Sequence, residues 1–115
     1  MTSSQLLEAL PEAIRTYLTA HQAREIELAV SLYTPDATVV DEGHTYRGHD
    51  EIRDWLARSA SEYTYTIELI GTEEIDDRHY VATHHLEGDF PGGVVDLRFQ
   101  FTLDDGHIAA LIIEP

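Results

Sequence analysis

Cysteine and lysine are both missing from this chain of 115 residues, and its apolar runs are short. Without cysteine there is no disulfide framework, no thiolate nucleophile and no thiolate-based zinc site. The longest apolar stretch, Ile108–Ile113, falls far short of the ~18–20 residues that cross a bilayer. Without lysine, seven Arg face ten Asp and twelve Glu, a formal charge of −15. Such a surface repels phosphate backbones and anionic headgroups, which argues against nucleic acid and membranes as partners. Residues 1–10 carry no basic region of the kind that opens a secretory signal, so a cytoplasmic location is expected.

Several site signatures are absent as well. There is no H-x-x-x-H or H-x-H pair, and the adjacent His84 and His85 face opposite ways if they lie on a strand, so no metal is expected. No G-x-S-x-G, phosphate-cradling glycine loop or dinucleotide fingerprint occurs, and no cofactor is expected. What remains for chemistry is Asp, Glu, His, Tyr, Arg and Ser.

The composition that is present, 43% hydrophobic and 25% charged, is that of a folded globular protein. Its length suits one domain over residues 1–115. Ile14, Tyr17, Leu18 and His21 make one helical stripe, with Pro11 and Glu12 in a favourable first turn. Ile26, Ala29, Val30 and Tyr33 make a second, stopped at Thr34-Pro35-Asp36, while Ser4–Leu10 is either a separate turn or an extension. Ala37–Asp41 reads as a strand that turns through Glu42-Gly43-His44 to Thr45–Arg47. Gly48 closes that hairpin, His49 or Asp50 caps a third helix, and Ile52, Trp55, Leu56 and Ser59 form its inner stripe.

From Tyr63 onward the period becomes two. Tyr65, Ile67 and Leu69 share one face, as do Tyr80, Ala82, His84 and Leu86, and then Leu97, Phe99, Phe101 and Leu103. In the last strand the same parity points Leu111 and Ile113 inward and Ile108, Ala110 and Ile112 outward. Helices followed by a four-strand meander give an α+β class, three N-terminal helices covering the apolar face of an antiparallel sheet.

This order, with A-T-V-V-D-E-G at 37–43, Y-R-G at 46–48 and I-R-D-W at 52–55, resembles the nuclear transport factor 2-like superfamily. The branch it is most similar to is that of SnoaL-like polyketide cyclases and ketosteroid isomerases. The resemblance covers nearly the whole chain and implies a cone, a curved sheet closing around helices, with an apolar pocket inside. It also implies a homodimer through the outer sheet face. The superfamily mixes isomerases, cyclases, dehydratases, epoxide hydrolases and non-catalytic modules, so it implies a fold more narrowly than a reaction. By the resemblance, the first-helix tyrosine of the isomerases is Tyr17 and the catalytic aspartate ending the first strand is Asp41. Their pocket aromatic on the third helix is Trp55, and the apolar strand residues are Ala82, His84 and Leu86. The second, protonated aspartate of their oxyanion hole is replaced here by Leu97, with Asp96 and Arg98 on the opposite face. For the same reason no Asp-Arg-Asp set suited to epoxide hydrolysis emerges.

Asp41 carries the chemistry in this reading. A carboxylate facing an apolar cavity has its charged form disfavoured, which makes it a better base. Taken alone it also reads as a turn residue opening the Asp41-Glu42-Gly43 bend. Tyr17 is a hydrogen-bond donor or a core tyrosine. His84 is an inward histidine that either steadies Asp41 and shuttles a proton or is a structural group. Trp55, Tyr65, Ala82, Leu86, Leu97, Phe99, Phe101, Leu111 and Ile113 are expected to line the pocket. His85 belongs to the outer face, and His21, His44 and His49 to solvated ends, His44 nearest the rim.

Three functions follow. The first is cofactor-free proton abstraction α to a carbonyl of a hydrophobic, ring-containing small molecule, isomerase- or cyclase-like, with Asp41 as base. The second is dehydration through a His84/Asp41 pair. The third is a non-catalytic, dimeric small-ligand-binding module.

Overall fold

The computed structural model describes residues 3–62 and 64–115; Tyr63, where the period of two is expected to begin, lies outside them. Four helices, α1 (Ser3–Glu8), α2 (Glu12–Gln22), α3 (Ile26–Ser31) and α4 (Gly48–Glu62), accompany six strands. The strands are β1 (Tyr33–Asp41), β2 (His44–Arg47), β3 (Tyr65–Glu74), β4 (His79–Gly88), β5 (Val94–Asp104) and β6 (His107–Glu114). They form one curved sheet in the order β2-β1-β6-β5-β4-β3, antiparallel except where β1 runs parallel to β6. The class is α+β, with the helices in the concave face of an antiparallel-dominated sheet. The open segment Ser4–Leu10 resolves as a separate short helix, broken before Pro11.

Helical and strand periods meet in one core. Ile14, Tyr17, Leu18 and Ala20 from α2 and Ile52, Trp55 and Leu56 from α4 pack on Val39, Ala82, Phe99, Phe101 and Leu111 of the sheet. The strand after α3 starts at Tyr33, ahead of Thr34-Pro35-Asp36, and an irregularity between Tyr33 and Thr38 takes up that proline without losing the pairing to β6.

A second irregularity corrects the parity of the last strand. Thr102 pairs with Ala110 and Leu103 with Ile108, so Ala109 is an extra residue on β6. Ile108 is therefore turned inward and fully buried, its N–H donating to the carbonyl of Leu32 at 2.8 Å. The expected outer stripe loses Ile108 and keeps only half-buried Ala110 and exposed Ile112.

Two devices pin the end of the sheet that bears the site. Asp89 accepts the Thr64 N–H at 2.8 Å and donates its own to the Thr64 carbonyl at 3.0 Å. Beside it Gly88 lies so close to β3 that a Cβ would collide with the Thr64 carbonyl oxygen and with Cα and Cβ of Tyr65. At the other end His49 donates from Nε2 to the carbonyls of Tyr33 and Thr34 at 3.0 and 3.1 Å, tying the start of α4 to β1. His49 is thus a half-buried anchor and not a solvated surface residue, because the β1 irregularity turns two carbonyls towards it.

Candidate functional site

The C-terminal ends of β1 and β6, the end of β4 and the start of β5 converge on a cavity of about 590 Å³. That volume suits a small organic ligand, for which pockets of roughly 300–1,000 Å³ are usual. Trp55 and Ser59 of α4 and His21 of α2 close it from the helical side. Tyr65, Ile67, Leu86, Leu97, Phe99 and Ile113 close it from the sheet, and Phe90 and Pro91 stand at the rim. Six of the expected lining residues are therefore in the wall: Trp55, Tyr65, Leu86, Leu97, Phe99 and Ile113.

Asp41 lies in the same wall, half-buried, at the last position of β1. Its Oδ2 accepts a hydrogen bond from the indole Nε1–H of Trp55 at 3.0 Å. The two side chains come from elements that pack directly on one another, since α4 lies across β1. Trp55 is itself held between rings, 6.0 Å from Tyr46 and 6.4 Å from His21 between centroids. The Arg58 guanidinium covers the other partner, 5.4 Å from the Tyr46 ring centroid. An aromatic stack thus fixes the donor that fixes the carboxylate.

His21 is the site residue that the sequence reading set aside as solvated. It lines the cavity, with its ring 5.9 Å from Tyr17 and 6.5 Å from Phe99. Burial holds its pKa below the ordinary imidazole value, so the ring is neutral at pH 7 and can either donate or accept. The signal was available: His21 completes the Ile14-Tyr17-Leu18 stripe at i+7, and a residue on the buried stripe faces inward even at a helix end. Tyr65 is a further polar wall residue, as is Ser59. Burial raises its phenol pKa, the Arg24 cation pulls it down and the Asp41 carboxylate pushes it up.

Tyr17 and His84 are not among the residues lining the cavity. Both are completely buried one layer deeper, together with Ala82, Phe101 and Leu111, which sequence parity also assigned to the lining. The physical reason is that α2 fills the narrow end of the sheet. Tyr17 packs edge-on against Tyr33 at 5.2 Å and Phe101 at 5.9 Å, so inward-facing residues at that level meet a helix instead of a void. Burial raises the Tyr17 phenol well above its ordinary range, and the Asp41 charge adds to this. His84 sits between Leu69 and Leu97 on the neighbouring strands, its ring 4.6 Å from Phe99. Burial lowers its pKa to about 4, and the imidazole of His21 adds to the shift. Neither ring nitrogen of His84 has a hydrogen-bond partner among the described residues. The geometry unites Asp41, Trp55, His21 and Tyr65; it leaves Tyr17 and His84 behind the wall.

The outer-face assignments match the geometry. His85 bonds Asp96 at 2.6 Å and Glu87 at 3.0 Å, which raises its pKa, and Arg98 bonds Glu114 at 3.1 Å. His44 is exposed. Among the described residues no group of three potential ligands could hold a metal ion, and no helix is long and apolar enough to cross a membrane.

The family described as "SnoaL-like domain" matches residues 14–111, which hold α2 from Ile14 onward, the cavity wall up to Leu111 and every strand but the end of β6. This chain belongs to the SnoaL-like family. Among solved structures, this SnoaL-like chain is 29% identical to a Sinorhizobium meliloti protein provisionally named a polyketide cyclase, with a TM-score of 0.87 over 94% of this chain and 98% of that one. It shares the nuclear transport factor 2-like fold with a Mycobacterium tuberculosis protein solved with estradiol-17β-hemisuccinate, at 15% identity and TM-score 0.74 over 90% of each chain. The same fold recurs in TerC co-crystallised with polyporic acid, at 22% identity and TM-score 0.76 over 90% of this chain and 88% of that one. No curated protein sequence matches it significantly. Family and cavity together make this SnoaL-like chain a small-molecule pocket protein.

Proposed function

We propose that this SnoaL-like protein catalyses a cofactor-free reaction in which Asp41 removes a proton α to a carbonyl of a hydrophobic, ring-containing substrate. The observation that carries this reading is a carboxylate held by a 3.0 Å indole hydrogen bond in the wall of an otherwise mainly apolar cavity of about 590 Å³. The Trp55 contact occupies Oδ2 from one side and orients the carboxylate, and the aromatic stack behind it keeps that orientation. The proton passes from carbon to Asp41, leaving an enolate. Return of the proton to another carbon completes an isomerisation; attack of the enolate on a second carbonyl forms a carbon–carbon bond and an alkoxide, and transfer of the proton from Asp41 to that alkoxide completes a cyclisation. His21, Ser59 and Tyr65 are wall groups able to donate to the enolate oxygen. They take the part that the family resemblance assigned to Tyr17, whose hydroxyl lies behind the wall. The tested form is direct. Small molecules co-purifying with wild type and with Asp41→Asn are compared by mass spectrometry, and a transformed compound with wild type against its precursor with the variant supports the proposal. The same intact ligand from both proteins would falsify it and leave a binding module, the reading favoured by the apolar character of the wall.

The protein acts as one domain over residues 1–115 and pairs through its outer sheet face. Exposed Ile112 is the apolar contribution β6 makes to that face. Sedimentation at micromolar concentration tests the pairing: a dimer supports it, a monomer excludes it.

A further inference from the structure

A second, smaller hollow of about 190 Å³ abuts the larger cavity and shares His21, Tyr65 and Ile67 with it. The two differ in charge. The large cavity carries Asp41, Glu42 and Glu114 among its lining residues and no Arg, so its mouth repels anions. The small hollow contains Arg24, the one cation lining either hollow among the described residues. Arg24 makes no ion pair with another described residue, whereas Arg53 and Arg98 do. Glu25 lines the same hollow; burial raises the pKa of the shared Tyr65 phenol and the Arg24 cation lowers it, so Arg24 lies near the wall that the two hollows share.

The backbone at Arg24 points the same way. It closes α2 in the left-handed region, φ 59°, with its N–H on the His21 carbonyl and the N–H of Glu25 on that of Ala20. Glycine adopts this conformation freely; a side chain there costs about 1 kcal/mol. The helix C-terminus favours a cation in general, yet this cation is also placed on the wall of a hollow.

We infer that the small hollow binds the carboxylate end of an elongated ligand, with Arg24 as counter-ion, while the ring body occupies the large cavity against Trp55 and Phe99. The substrate class of the site is thereby narrowed to hydrophobic ring compounds bearing an acidic tail. This rests on the small-molecule reading of the large cavity. The acidic mouth excludes the reverse orientation, in which the carboxylate would lie beside Asp41.

The test uses naphthylbutanoate and its neutral amide, with binding measured by calorimetry to wild type, Arg24→Gly and Glu25→Gln. Wild type binds the acid about fivefold more tightly than the amide at low salt, the worth of a partly exposed ion pair, and high salt narrows the difference. Arg24→Gly, which suits the left-handed backbone and so keeps the fold, brings the ratio to one or below, since Glu25 remains, without weakening the amide. Glu25→Gln widens it. Equal binding of acid and amide by wild type, or a ratio that neither substitution moves, overturns the inference while the cavity reading stands. Failure of the amide itself to bind overturns the cavity reading and the inference with it.

Discussion

Asp41 can be isolated experimentally because its neighbour tolerates the amide. An asparagine in its place still offers Oδ1 to the Trp55 indole, so Asp41→Asn should leave the melting temperature within a few degrees of wild type. General-base catalysis is typically worth ~10²–10⁴-fold, and that is the loss expected in turnover. His84 supplies a second residue-scale prediction. Its pKa is about 4 in the folded chain against 6.5 unfolded, so the unfolded state binds the extra proton first. Stability is complete above pH 6.5 and declines as pH falls through about 4, by about 3 kcal/mol from this residue. Urea titrations of wild type and His84→Leu between pH 7 and 4 should diverge, the variant losing less stability on acidification. Parallel curves would show that His84 does not titrate as its burial requires.

Elements explain what could be read ahead of the structure and what could not. The stripes of α2 and α4 and the alternation of β3, β4 and β5 were legible because each element obeys one period along its length, and they turn Trp55, Tyr65, Leu97 and Phe99 to the face where the cavity lies. Ile108 was misassigned because one extra residue, Ala109, reverses the parity of a strand, and a run apolar on both faces carries no mark of where that happens. Ala82, Phe101 and Leu111 are inward as parity says, but whether an inward residue meets a void or a helix depends on where Tyr17 packs. Three substitutions test the β6 and β4 accounts. Ile108→Ala should cost about 2–5 kcal/mol in chemical denaturation, against about 0.5 kcal/mol or less for exposed Ile112→Ala. Gly88→Ala forces Thr64 and Tyr65 to move and should cost about 1–3 kcal/mol. It should also weaken ligand binding, because Tyr65 is a wall of both hollows.

At the scale of the whole molecule, a charge of −15 on 115 residues is a self-repulsion that salt relieves. The melting temperature should rise when sodium chloride is increased from low to near-molar concentration, read by calorimetry; a flat response would mean that the carboxylates are mutually too distant to matter. The acids are not spread without effect on the site. Asp41, Glu42 and Glu114 gather at one cavity, whereas Arg24 is the one cation lining the neighbouring hollow among the described residues, so the two hollows differ in the sign of the charge they present.

In the proposed reaction Asp41 acts as a base on carbon within the cavity. It is tested most directly by nuclear magnetic resonance of deuterium exchange at the carbon α to the carbonyl of bound bicyclic ketones, compared between wild type and Asp41→Asn. Catalysed exchange is expected with wild type and background exchange with the variant, although both bind the ketones equally. Exchange at the same rate in both proteins, or bound ketone that wild type leaves at the background rate, would contradict it.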